Sequence, residues 1–160
     1  MRMTIVASIM SLFLMASPMA AEGGSIKGSV GYTPEMAWDY DRDKKINRVQ
    51  FWIDIDIKTE GKAITGGVRR YLKDLDSGRK IYHWANMQMT GDNRTAIAPI
   101  AATHFAVKGS TAEFTVHDVT YTFTDSGDVS GQPPGTFLAD DGFTKTEVKI
   151  HAGGVEISGP

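Results

Sequence analysis

The run Val49-Gln50-Phe51-Trp52-Ile53-Asp54-Ile55-Asp56-Ile57-Lys58 alternates between two sets of side chains. Val49, Phe51, Ile53, Ile55 and Ile57 share one face at period two, and Gln50, Trp52, Asp54, Asp56 and Lys58 share the other. A helix, with its period of about 3.6, would scatter the apolar set around its axis. The run predicts a long β-strand with one face in a core. Its second face is unusual in carrying a tryptophan among polar groups and two carboxylates.

The remaining composition agrees with β structure. From Glu22 onward there are only three leucines (Leu72, Leu75, Leu138) against eleven isoleucines, nine valines and fourteen threonines. Leucine favours helices, whereas β-branched residues favour pleated surfaces. Upstream, Arg2 followed by the apolar run Ile5 to Ala16 has the form of a secretory signal. That run is too short to cross roughly 30 Å of hydrocarbon as a helix. Residues 1–21 are therefore expected to be a signal peptide and 22–160 a single all-β domain, destined for the periplasm or secretion. The chain has no cysteine, so the domain must hold together by packing without disulfides. The formal net charge is −2, with no basic stripe. Nucleic acid is thereby excluded as an expected partner, and no later segment is apolar enough to span a membrane.

Turn signals divide the rest into strands. Glu60-Gly61 reads as a two-residue hairpin loop, and Ser77-Gly78 as the next. Arg79 to Met89 reads as one strand, Thr95 to Val107 as a weaker one containing Pro99, and Thr111 to Thr124 as one strand with a bulge or bend where the phase slips at His117-Asp118. Residues 125–143, rich in Gly, Pro and Asp, read as the longest loop. Long strands joined by tight turns suggest an antiparallel meander. A small β-barrel is the expected architecture and a two-sheet β-sandwich the alternative.

The Glu60-Gly61 loop pairs Ile53 with Val68 and Trp52 with Arg69. The Ser77-Gly78 loop then brings Trp84 opposite Tyr71 and Asn86 opposite Arg69. One face thus gathers Trp52, Asp54, Asp56, Arg69, Tyr71, Tyr82, Trp84 and Asn86. Aromatic rings ringed by carboxylates, amides and an arginine suit sugars and other small polar ligands. The leading expectation is an exported, non-catalytic binding module for such a ligand, or for an exported protein partner such as a secreted enzyme that it inhibits. The competing class is a small β-barrel enzyme (isomerase, cyclase or hydrolase) using Asp54 and Asp56. These lie about 7 Å apart along one strand face, and an acid–base pair would need one of them desolvated.

Asp39-x-Asp41-x-Asp43 resembles the start of an EF-hand calcium loop, since hard oxygens at alternate positions suit Ca²⁺. Lys44 stands where that loop requires glycine, and Gln50 where it requires an acid. A calcium-stabilised structural domain is the third expectation; no other cofactor is implied.

Overall fold

The computed structural model describes residues 23–82, 97–125 and 135–160, together with the backbone of 84–85 and 88–89. The described residues form only strands and their connections. In chain order these are β1 (Ser25–Gly31), β2 (Met36–Trp38), β3 (Asn47–Glu60), β4 (Ala63–Asp74), β5 (Lys80–Ile81), β6 (Trp84–Ala85) and β7 (Gln88–Met89). They continue as β8 (Ile100–Ala101), β9 (His104–Lys108), β10 (Thr111–Val116), β11 (Val119–Thr124), β12 (Thr136–Asp140), β13 (Lys145–Lys149) and β14 (Ala152–Ser158). No described helix is long and apolar enough to cross a membrane.

Two antiparallel sheets result. The first runs β14-β1-β3-β4-β5, with β2 also paired to β3 and β8 also paired to β4. The second runs β13-β12-β11-β10-β9, and β6 and β7 form a separate two-stranded ribbon. Among the described residues no strand of one large sheet pairs with a strand of the other. The expected barrel is therefore not closed, and the sandwich alternative describes the molecule. The barrel expectation rested on many long strands, but only β3 and β4 are long, at 14 and 12 residues. The second sheet is built from strands of five and six residues.

The inner face of the first sheet is the apolar set read from the alternation. Val49, Ile53, Ile55 and Ile57 are buried, and Phe51 is half-buried. Ile26 and Val30 of β1 pair with Ile57 and Ile53. Facing them from the second sheet are Phe105, Phe114, Val116, Tyr121, Phe123 and Phe137, in one continuous core. The rings stack in sequence, Phe114 on Phe123 at 5.8 Å between centroids and Phe123 on Phe137 at 4.6 Å. Each such side chain, fully buried, contributes roughly 1.5–3 kcal/mol. β3 outruns the second sheet, and a smaller cluster of Tyr40, Val49, Leu72 and Ile81 covers its other end. There the buried carboxylate of Asp74 accepts from the Tyr40 hydroxyl at 2.8 Å and the Asn47 amide at 2.9 Å. Its other oxygen accepts the backbone N–H groups of Asp76 and Ser77.

Several local expectations are corrected. The first hairpin turns on Gly61-Lys62, with Glu60 opposite Ala63. Gly61 takes φ +61° at the first loop position, which type II′ turns reserve for glycine. Moving the loop by one residue shifts every pairing by two, so Ile53 faces Arg70 and Trp52 faces Tyr71; the faces are unchanged. His117-Asp118 is not a bulge but a hairpin turn, with both residues at positive φ (47° and 64°). It pairs Val116 with Val119. The segment read as Arg79 to Met89 leaves β4 after β5, and the chain returns to β4 as β8. Between Ala101 and His104 it then switches sheets, splitting the Thr95 to Val107 strand in two. Finally, β12 lies inside the region expected to be the longest loop.

Candidate functional site

The face opposite the core has two parts of different character. The aromatic part is closed. Trp52 and Tyr71 are direct cross-strand partners, and both are buried, Tyr71 with 1% of its surface exposed. The Trp52 indole N–H donates to Gln50 Oε1 at 2.8 Å, and the Gln50 amide donates to the Thr33 carbonyl at 2.8 Å. Lys73 Nζ stands 4.4 Å from the Trp52 ring centroid, a cation–π contact. The backbone of Gly153 runs beneath the ring, so close that a Cβ there would meet Trp52 at 3.0 Å and the Ser29 carbonyl at 2.0 Å. Tyr71 packs against Tyr82 at 5.6 Å and under Lys80, whose Nζ lies 4.7 Å from its centroid.

Asp54 joins this closed part to the open one. Its Oδ1 accepts from Ser29 Oγ at 2.6 Å and from the Tyr71 hydroxyl at 2.9 Å, and its Oδ2 from Lys80 Nζ at 3.1 Å. Burial drives the Tyr71 phenol well above the ordinary tyrosine range, and the neighbouring carboxylate adds to the effect. Tyr71 therefore stays a donor.

Beyond Asp54 the same face opens into a groove of about 330 Å³, lined by Asp54, Asp56, Lys58, Thr65, Arg69 and Pro99, with Glu60 at one end. Gly66 and Gly67 make its floor. A Cβ on Gly66, which has φ +90°, would lie 1.9 Å from the Asp56 carbonyl, and one on Gly67 would lie 1.9 Å from the Ile100 carbonyl. Neither position admits a side chain. Arg69 Nε donates to the Ile97 carbonyl at 2.7 Å, which ties the returning chain before β8 to β4 and raises the wall that includes Pro99. Lys58 and Glu60 pair at 2.8 Å on the rim. Asp56 is exposed.

The expected site is therefore brought together only in part. Asp54, Asp56 and Arg69 line the groove, whereas Trp52 and Tyr71 are packed away beside it. Tyr82 packs against Tyr71, because β4 pairs Leu72 with Ile81 rather than with His83. Trp84 belongs to β6, which pairs with β7; its side chain and all of Asn86 lie outside the described residues. The sequence reading missed Lys58, Thr65 and Pro99 as lining residues. Lys58 was legible, since it shares the parity of Asp54 and Asp56. Pro99 was not, because only the long-range return to β4 places it.

The carboxylates of Asp39, Asp41 and Asp43 also converge, with one oxygen from each within 4.8 Å of the others. Asp39 Oδ1 is buried and has no hydrogen-bonding partner among the described residues. Lys44, at the position where the calcium loop requires glycine, takes φ +71°. Its N–H donates to Asp39 Oδ2 at 3.1 Å.

No family model, no curated protein and no solved structure matches this chain.

Proposed function

We propose that this protein is an exported, non-catalytic binding module that holds a small polar, saccharide-like ligand in the groove over β3 and β4. The observation that carries this reading is the groove itself, with carboxylate, ammonium, guanidinium and hydroxyl groups disposed around a floor of two glycines. Mixed donors and acceptors around a bare backbone floor suit a hydroxylated ligand that lies flat and exchanges several hydrogen bonds. Binding is favoured over acid–base catalysis because Asp54 already accepts from three donors. A carboxylate so engaged serves as a fixed acceptor rather than a mobile base.

Calorimetric titration of the mature protein with a panel of mono- and disaccharides tests the proposal. At least one should bind. Asp56→Trp, which fills the groove from an exposed position, should abolish binding. Asp56→Asn, which keeps the hydrogen-bonding shape, should keep affinity within a few-fold. Turnover of a bound sugar that disappears in Asp56→Asn would favour the enzyme. Capture of an exported protein without any sugar binding would favour the inhibitor. Mass spectrometry of exported material should show a chain starting near residue 22; an intact Met1 would overturn the export reading.

The convergence of Asp39, Asp41 and Asp43, with one buried oxygen lacking a partner, supports a second reading in which Ca²⁺ stabilises the 39–45 loop. Saturable binding to the native state alone would raise Tm with Ca²⁺ and lower it again with chelator. An unchanged Tm would dismiss it.

A further inference from the structure

The sandwich contains a second opening, unrelated to the polar groove and of opposite character. It lies between the two sheets where the main core gives way to the smaller cluster. It has a volume of about 230 Å³ and is walled by Tyr32, Ile53, Tyr121, Phe137, Ala139 and Val148. Ile53 and Phe137 are buried, while Ala139 and Val148 are half-buried. One charged side chain completes the lining: Arg70, an exposed residue on the core-facing side of β4, opposite Ile53.

Arg70 occupies a position that alternation assigns to the core. Its neighbours on that face, Val68 and Leu72, are fully buried. The guanidinium reaches across to the second sheet, where one Nη2 N–H donates to the Tyr121 hydroxyl. No carboxylate of the described residues pairs with it. A guanidinium offers five N–H donors in a planar fork matched to a carboxylate. Among the described residues, most of that fork therefore remains unused at the mouth of an apolar cleft. The Tyr32 phenol stands in the same lining and supplies a further donor; burial raises its pKa, against the opposing field of Arg70.

We propose that this cleft binds a small aryl carboxylate, with the ring between the sheets and the carboxylate on Arg70. The ring is favoured by the walls, which offer aromatic faces from Tyr32, Tyr121 and Phe137. The size follows from volume. A dry cavity of about 150 Å³ takes one benzene ring, so 230 Å³ holds a single ring with a short acid arm and no second ring. The charge follows from Arg70, the one ionised group in the lining among the described residues. The site shares no residue with the polar groove, so it stands or falls independently of the proposed sugar binding.

The test compares phenylacetate with phenylacetamide on the mature protein by calorimetry, backed by ligand-observed NMR. The acid should bind, and the neutral amide should bind more weakly by roughly ten- to a hundredfold, the worth of a charge-assisted hydrogen bond. Arg70→Gln should reduce affinity for the acid to that of the amide. Val148→Phe, which fills the cleft with a half-buried ring, should abolish both. Asp56→Trp should change neither. Equal affinity for acid and amide in the unaltered protein would overturn the proposal without any variant, as would absence of binding by both. Unchanged affinity in folded Val148→Phe would place the ligand elsewhere and overturn it too.

Discussion

The hydroxyl of Tyr71 donates to Asp54 Oδ1 at 2.9 Å, linking two adjacent strands on the face of the sheet turned away from the core. Ser29 adds a second donor to the same oxygen from β1, so one carboxylate oxygen joins three strands. Burial with satisfied partners makes this link rigid, since breaking it leaves a polar group dry. It also holds the closed aromatic end of the face against the open groove.

Tyr71→Phe should destabilise the fold by about 1 kcal/mol, the net worth of one hydrogen bond. Asp54→Ala should cost more, about 1–3 kcal/mol, because it strands the buried Tyr71 hydroxyl. Urea unfolding of both variants checks the order; a larger loss in Tyr71→Phe would contradict it.

Asp74 and Tyr40 predict both limbs of the pH–stability curve. Burial alone would raise the Asp74 pKa. The hydrogen bonds from Tyr40 and from the backbone of Ser77 and Asp76 outweigh that and hold it below the usual carboxyl value. Its contribution is complete above the unfolded value near pH 4 and is lost as pH falls through the lower folded one. Burial, reinforced by Asp74, pushes Tyr40 up to about 12. Its contribution is present below pH 10 and fades as pH rises toward about 12. Denaturant midpoints measured across pH should show Tyr40→Phe weakening the alkaline limb, to which the buried Tyr71 phenol also contributes, and Asp74→Asn weakening the acid one.

Gly67→Ala should destabilise by about 1–3 kcal/mol, an overpacking cost, since its Cβ would lie 1.9 Å from the Ile100 carbonyl. β8 must yield, and with it the wall of the polar groove that includes Pro99. Affinity for a groove ligand should fall with stability. An alanine variant as stable as the parent would show that β8 is not held as described.

His117 and Asp118 both occupy the left-handed region, where each costs roughly 1–2 kcal/mol. Replacing the pair by Asn-Gly, the residues such a turn favours, should raise stability by about 1 kcal/mol and leave ligand binding unchanged. Thermal unfolding checks this, and a fall in Tm would rule out the two-residue turn.

The sequence alone determined which side of each long strand is dry, because a period of two commits every second side chain to one face. Ile53, Ile55, Val68, Leu72, Ile81, Phe114, Val116, Tyr121 and Phe123 are buried as the alternation requires. It also brought Asp54, Asp56 and Arg69 onto one surface, a result that survives a register error of two residues because such an error preserves parity. Only the tertiary structure decided which residues meet across strands, since alternation is blind to a shift of two and one turn residue sets the pairing. It decided that the sheets form a sandwich, because the turn at His117-Asp118 shortens what reads as a long strand. It decided, too, that Trp52 and Tyr71 are packed away while the carboxylates beside them stay open. That division depends on Gly153, Lys73, Tyr82 and Lys80 closing over the rings, contacts between positions far apart in the chain that no local pattern records.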